Sequence, residues 1–177
     1  MSLLKVEKLG KSFGGVKAVD EVSFELAAGE LLALIGPNGA GKSTTFNMLN
    51  GQLPADRGSI LFNGVQIVGR PPRDIWRLGV GRTFQVAATF ASLTVVENVQ
   101  MALMSLDGKT FSFWRPAAKY RRSDALDLLD LVGMADQADR PCSTLAYGDV
   151  KRVELAIAMA NEPKLLLMDE PTAGMAP

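Results

Sequence analysis

Residues 36–44 read Gly36-Pro37-Asn38-Gly39-Ala40-Gly41-Lys42-Ser43-Thr44, a glycine-rich run closed by a lysine and two hydroxyls. The spacing G-x-x-x-x-G-K-[ST], with an apolar run before it (LLALI, residues 31–35) and a helix-like run after it, is that of a loop that wraps phosphate. Glycines let the backbone curl until successive N–H groups converge on phosphate oxygens. The helix that follows adds the partial positive charge of its N-terminus. In such a loop Lys42 reaches the β- and γ-phosphates of a nucleoside triphosphate, and the Ser43 hydroxyl ligates Mg²⁺.

A second set of reactive groups lies far along the chain. Asp169 and Glu170 follow the apolar run LLLM at 165–168. In a doubly wound sheet the strand carrying Asp169 is expected beside the one that leads into Gly36, so that both open at their C-terminal ends onto one phosphate site. Asp169 would then hold Mg²⁺ through water. Glu170, one residue further on, would polarise the water that attacks the γ-phosphate.

The elements that must position these groups can be read from patterning. From Leu4 to Leu26 apolar and polar residues alternate (Val22, Phe24 and Leu26 against Ser23 and Glu25), which predicts half-exposed antiparallel strands. Residues 31–35 are apolar without alternation, as expected of a central strand covered on both faces. The helix after the loop is expected to stop near Gly51. Asn63-Gly64 sits between short β-like runs, a hairpin signal. From about Val86 to Ala160 the pattern is helical. Thr94 and Glu97 make a capping box before Val95, Val99, Ala102 and Leu103. Ala125, Leu128, Leu129 and Val132 recur at helical spacing and end at Gly133. A further helix is expected to start near Gly148, with Val153, Ala156, Ile157 and Ala160 inward. Trp76 is placed in the core, and Arg121-Arg122 at a solvated helix start. The fold class is α/β: a P-loop core with an N-terminal antiparallel β layer and a helical insertion. The expected domains are 1–85 (β layer and loop core), 86–160 (helical lobe) and 161–177 (return to the core).

Bulk properties narrow the chemistry. The chain has 177 residues, enough for one ordinary domain, and nineteen basic residues balance nineteen acidic ones. A formal charge of zero leaves no electrostatic footprint for nucleic acid or an anionic membrane. The single cysteine, Cys142, cannot form an internal disulfide, and with no secretory signal this favours a reducing, cytosolic setting. No apolar run approaches the roughly 20 residues that cross a bilayer, so any work at a membrane is done by docking onto something else. The absence of histidine excludes imidazole metal ligands and Ser-His or Cys-His nucleophile pairs.

Between the two chemical sets lies STLAYGDVKRVELAIAMANEP, and here the order of motifs becomes specific: a GxxxxGKS loop, a glutamine ending Thr83-Phe84-Gln85, a Leu-Ala-Tyr-Gly-Asp turn opening a helix, then LLLMDEPTAG. From Phe13 to Pro177 the chain resembles the ATP-binding subunit of an ABC transporter. GRTFQ at 81–85, TVVENV at 94–99, LAYGD at 145–149 and EPTAGMAP at 170–177 are most similar to the ATPases of branched-chain amino acid importers. The resemblance implies ATP and Mg²⁺ as ligands. It implies that Phe13 stacks on adenine, and that Gln85 approaches Mg²⁺ and the attacking water while sensing the membrane partner. Leu145, Ala146, Tyr147, Gly148 and Asp149 match the signature that contacts ATP held by a second copy in a head-to-tail dimer. It further implies transmembrane permease subunits as partners and a peripheral, cytoplasmic location on the inner face of the membrane.

Three departures from the wider superfamily are visible. Ala146 stands where serine is usual, Asp149 where glutamine is usual, and Ala176 where an acid is common; all fit the branched-chain group. The charge of Asp149 would oppose an incoming anion. Ala87, Ala88, Phe90 and Leu93 are candidates for receiving a coupling helix from the permease. Phe111, Phe113 and Trp114, in KTFSFWRPAAK at 109–119, are expected to cover the helical lobe's own core. ABC ATPases continue beyond the final turn, so residues 1–177 are expected to be a truncated form whose strands at 31–35 and 165–168 are less covered than buried strands normally are. Such a form is expected to bind nucleotide with weak or no turnover. A nucleotide-dependent dimerisation module without turnover, or a non-transport ABC ATPase, are the alternatives. A chromosome-maintenance type lacks its long coiled coil here, a translation-factor type its second cassette, and a small-molecule kinase would have no signature turn.

Overall fold

Alternation over the first 27 residues produces two long antiparallel strands, β1 (Ser2–Phe13) and β2 (Val16–Ala27), joined by Gly14-Gly15 at φ 52° and 87°. These belong to a computed structural model that describes residues 2–83, 89–108 and 120–168. The chain divides into two units, Met1–Val80 and Gly81–Pro177.

In the first unit β3 (Arg57–Phe62) pairs with the free edge of β1, and β4 (Val65–Gln66) returns against β3, giving the order β2-β1-β3-β4. The β3–β4 turn is the expected Asn63-Gly64, both in the left-handed region (φ 48° and 76°) that matches the twist of a two-residue hairpin. Register brings Leu4 opposite Phe62 and Val6 opposite Ile60, and all four are buried. The loop leads into α1 (Lys42–Leu49), which buries Thr45, Met48 and Leu49. It ends where expected, at Gly51 (φ 76°), where a Cβ would lie 2.5 Å from the Arg70 carbonyl oxygen. A short α2 (Pro72–Arg77) follows, with proline in its first turn.

In the second unit β5 (Val80–Arg82), which begins at the boundary, pairs with β6 (Leu165–Leu167), and the Thr83 amide donates to the Leu167 carbonyl at 3.0 Å. Three helices, α3 (Val95–Leu106), α4 (Arg122–Leu131) and α5 (Tyr147–Met159), enclose a core of Val95, Val99, Leu103, Ala125, Leu129, Val153 and Ala156. Each larger member contributes about 1.5–3 kcal/mol through removal from water. The inward positions are those expected from spacing, and α4 is followed by Gly133 at φ 68°.

The capping box at α3 is fully formed. The Thr94 amide and hydroxyl donate to Glu97 Oε2 at 2.8 and 2.9 Å, while the Glu97 amide donates to Thr94 Oγ1 at 3.4 Å. The Thr94 amide, then its hydroxyl, hold the Glu97 carboxyl below the usual glutamate range. A depressed folded-state pKa stabilises the fold above the unfolded-state value, and that contribution is lost as pH falls through the folded value. Thr94→Ala is expected to cost about 1 kcal/mol near neutrality. Glu97→Gln is expected to flatten the loss of stability on acidification below the ordinary glutamate pKa, as read from urea midpoints across pH.

Three expectations are corrected. Residues 31–35 form no strand, and Leu31 and Ile35 are 86% and 90% exposed, so this run is not a buried central strand. An apolar run becomes a strand only where a neighbour pairs with it, and among the described residues none does; β6 instead pairs with β5. The expected lack of cover holds at 31–35 but not at β6, where Leu165 and Leu167 are buried. On α2 the buried residue is Ile75, with Trp76 half-buried. Arg121 and Arg122 do open a helix, as the N-cap and first residue of α4, and both are paired at its partly exposed start: Arg121 Nε lies 2.5 Å from Asp124 Oδ2, and Arg122 engages Asp139 at 2.8 Å. Phe111, Phe113 and Trp114 lie outside the described residues.

Candidate functional site

In the first unit the glycine-rich loop is built against β2. Gly41, at φ 83°, directly precedes α1 and packs so closely that a Cβ there would lie 2.2 Å from the Ala18 carbonyl oxygen. Only glycine combines that left-handed conformation with that approach. Gly39 is also left-handed, at φ 84°, and the Ala40 amide closes a turn onto the Pro37 carbonyl at 3.2 Å. The Thr45 amide and hydroxyl both donate to the Gly41 carbonyl, at 2.8 and 3.0 Å, which starts the helix.

The start of α1 carries no side-chain cap and no acidic residue in its first turn. Among the described residues its first amides and the positive end of its dipole therefore carry no side-chain compensation, the arrangement that binds an anion. Lys42 folds back over the loop, Nζ donating to the Gly36 and Pro37 carbonyls at 2.7 and 2.8 Å. Among the described residues no carboxylate pairs with it, so its charge is held at the rim by neutral acceptors that a phosphate can displace. Ser43 is exposed one residue into the helix and Thr44 is half-buried, so a hard oxygen donor of the kind Mg²⁺ takes stands beside the cradle.

Phe13 is 49% exposed at the tip of the β1–β2 hairpin, opposite Val16, itself 70% exposed. It is no core residue. Gly41 touches β2 at Ala18, two residues from Val16, so loop and hairpin tip share one end of β2. Lys11 Nζ lies 5.7 Å from the Phe13 ring centroid and 2.6 Å from Asp56 Oδ1. The Ser12 amide donates to the other oxygen of Asp56 at 2.8 Å, bracing the strand just before the ring. Lys11 first, then this amide, hold the Asp56 carboxyl below the usual aspartate range.

In the second unit the turn at 145–149 opens α5. Ala146 is its extended N-cap, without a side-chain hydrogen bond, and the Val150 amide donates to the Ala146 carbonyl at 3.0 Å. Ala146 and Tyr147 are exposed and Leu145, Gly148 and Asp149 half-buried, so this helix start also faces outward. The charge of Asp149 is moderated by Arg152, whose NH1 lies 3.8 Å from Oδ1. Tyr147 leans its ring over Lys151, with Nζ 5.5 Å from the centroid, and Lys151 is paired with buried Glu154 at 2.9 Å.

Gln85, Asp169 and Glu170 lie outside the described residues, as do Ala87 and Ala88. Phe90 is 57% exposed and Leu93 half-buried. Polar groups that patterning did not single out are buried on the helices of the second unit, among them Asn98 and Gln100, each 2% exposed, and the Lys151–Glu154 pair. Their signal is faint: a polar residue within an otherwise apolar helical stripe.

The ABC transporter family profile matches residues 19–173. LivG of Escherichia coli K12, a high-affinity branched-chain amino acid transport ATP-binding protein, is 42% identical over 182 residues, covering 99% of this chain and 71% of that protein. A probable branched-chain amino acid transport ATP-binding protein LivG of Methanocaldococcus jannaschii is 34% identical, with 100% and 71% covered. Among solved structures, the ADP conformation of MJ1267, an ATP-binding cassette of an ABC transporter, superposes with a TM-score of 0.85 at 33% identity, over 99% of this chain and 71% of that one. The cbiO1 protein of Clostridium perfringens, part of the ABC transporter complex cbiONQ, gives 0.80 at 31% identity, over 99% and 68%.

Proposed function

This chain belongs to the ABC transporter family, and we propose that it is the ATP-hydrolysing subunit of an importer whose membrane partners carry branched-chain amino acids. The observation that carries the reading is the uncapped start of α1, curled against β2 by Gly41, with Lys42 folded over its mouth. The likeness to LivG supports the solute class.

In this mechanism the loop from Gly36 to Thr44 wraps the phosphates with its amides, and Lys42 swings from the Gly36 and Pro37 carbonyls onto the β- and γ-phosphate oxygens. Phe13, presented bare at the hairpin tip, stacks on adenine; base–aromatic stacking of this kind contributes about 1–3 kcal/mol. Ser43, Gln85 and Asp169 are the residues that would hold Mg²⁺, which neutralises phosphate charge when bound. Glu170 accepts the proton of the attacking water. The start of α5, residues 145–149, aims its amides at the γ-phosphate held by a second copy, and Arg152 offsets the charge of Asp149 there. With serine replaced by Ala146, backbone amides supply more of that contact. Phe90 and Leu93, with Ala87 and Ala88, receive the permease, which keeps the subunit on the cytoplasmic face. None of the described helices is long and apolar enough to cross a membrane.

The test is reconstitution of the full chain with its permease partners in proteoliposomes. Mg²⁺-dependent ATP hydrolysis that rises when leucine, isoleucine or valine is supplied with its binding protein supports the proposal. Nucleotide-driven dimerisation without phosphate release would favour a module that does not turn over. Hydrolysis indifferent to these solutes would remove the substrate assignment.

A further inference from the structure

Asn98 sits on α3 between the inner-face residues Val95 and Val99, and its side-chain amide is committed to two loops. Oδ1 accepts from the Phe90 amide at 2.7 Å. Nδ2 faces the Phe90 carbonyl at 3.1 Å, the Thr94 carbonyl at 2.9 Å and Cys142 Sγ at 3.2 Å. Phe90 is a surface residue, more than half exposed, and such residues normally leave their backbone groups to water. Here both its N–H and its C=O are held by one buried side chain. An amide placed among apolar residues is costly unless its bonds are made, so the loop's position is specified, not incidental.

The same segment is zipped along its backbone to the turn that precedes residues 145–149. The Cys142 amide donates to the Leu93 carbonyl at 3.0 Å, the Ser143 amide to the Ala91 carbonyl at 3.2 Å and the Val95 amide to the Arg140 carbonyl at 3.0 Å. Thr94 and Pro141 form an isolated antiparallel bridge. Arg140 and Thr144 then close the turn on itself, the Arg140 guanidinium donating to the Thr144 carbonyl at 3.1 Å and the Thr144 hydroxyl to the Pro141 carbonyl at 2.8 Å. The next residue is Leu145. Burial pushes the Cys142 thiol pKa up, so its sulfur stays neutral beneath Asn98.

We propose that Asn98 is a positioning residue for the signature turn: its amide clasps residues 90–94 to residues 141–144, so the outward aim of the α5 start is set by, and answers to, the position of Phe90. The inference rests on the reading that residues 145–149 meet the nucleotide of a second copy. Asn98 touches no nucleotide itself.

The test uses the full chain. Asn98→Ala is compared with wild type for binding of a fluorescent ATP analogue at low protein concentration, for ATP-driven dimerisation by sedimentation, and for steady-state hydrolysis. Val99→Ala, which opens a cavity on the same helix, is the control for destabilisation alone. The expected result for Asn98→Ala is analogue affinity within twofold of wild type, with dimerisation and kcat each reduced tenfold or more. Val99→Ala is expected to lower Tm while leaving dimerisation unchanged. A folded Asn98→Ala that dimerises and hydrolyses like wild type overturns the proposal. Should the variant not fold, hydrogen exchange of the wild-type protein decides: on ATP-driven dimerisation the amides of Phe90, Cys142 and Ser143 must gain protection together, and a change at Cys142 and Ser143 without Phe90 overturns it. A wild-type protein that never dimerises with ATP would instead remove the signature reading beneath it.

Discussion

Lys42→Met should cut ATP hydrolysis by at least about 100-fold and weaken nucleotide binding by tenfold or more, with Tm unchanged within a few degrees. The stability part follows from what Lys42 does in the free protein: among the described residues its ammonium donates to the Gly36 and Pro37 carbonyls, at a surface where water can replace it. Methionine keeps the length of the stem and its packing. The functional part follows from charge. A lysine about 4 Å from a phosphate oxygen at an effective dielectric near 20 is worth roughly 4 kcal/mol, about a thousandfold in an equilibrium or a rate. The loop amides and the α1 dipole recover some of that loss, so the expected deficit sits below the full figure. Filter binding with labelled ATP and a coupled phosphate assay read the two effects separately, and unchanged hydrolysis in the variant would leave the loop with a structural role only.

Glu170→Gln is expected to lower kcat by about 10²–10⁴-fold, the range for loss of a positioned general base, with ATP affinity preserved. The amide matches the carboxylate in shape but cannot accept the proton of the attacking water. In the proposed mechanism binding is owed to other groups: the loop amides, Lys42 and the Phe13 ring. Because bound ATP would persist, the variant should also accumulate as a nucleotide-held dimer, visible by size exclusion with ATP and lost with ADP. Retained turnover would show that another group activates the water.

How far the sequence revealed these features depends on how local their causes are. The Thr94–Glu97 box and the Asn63-Gly64 turn are decided within four residues, and both formed as expected. The glycine-rich loop at 36–44 was equally legible as a candidate, since glycine spacing, lysine and hydroxyl are contiguous. The apolar run at 31–35 was misread because period and hydrophobicity describe a strand's faces, while its existence depends on a partner contributed from elsewhere. Asn98 was passed over for a related reason: it reads as one polar residue among helical apolar ones. Nothing nearby tells that its amide will reach back eight residues to Phe90 and forward forty-four to Cys142. The roles given to Phe13, Gln85 and residues 145–149 came from family resemblance, and what the fold adds is that Phe13 and the start of α5 are presented outward.

The proposed mechanism requires that Asp169 hold the metal of the ATP that residues 36–44 take up. The most direct measurement is the affinity of Mn²⁺ for the ATP-loaded protein, read by electron paramagnetic resonance in wild type and Asp169→Asn. The account predicts metal binding weakened at least tenfold in the variant, with metal-free ATP affinity unchanged. Equal Mn²⁺ affinity in the two proteins would place Asp169 away from the nucleotide that Lys42 grips, and would contradict it.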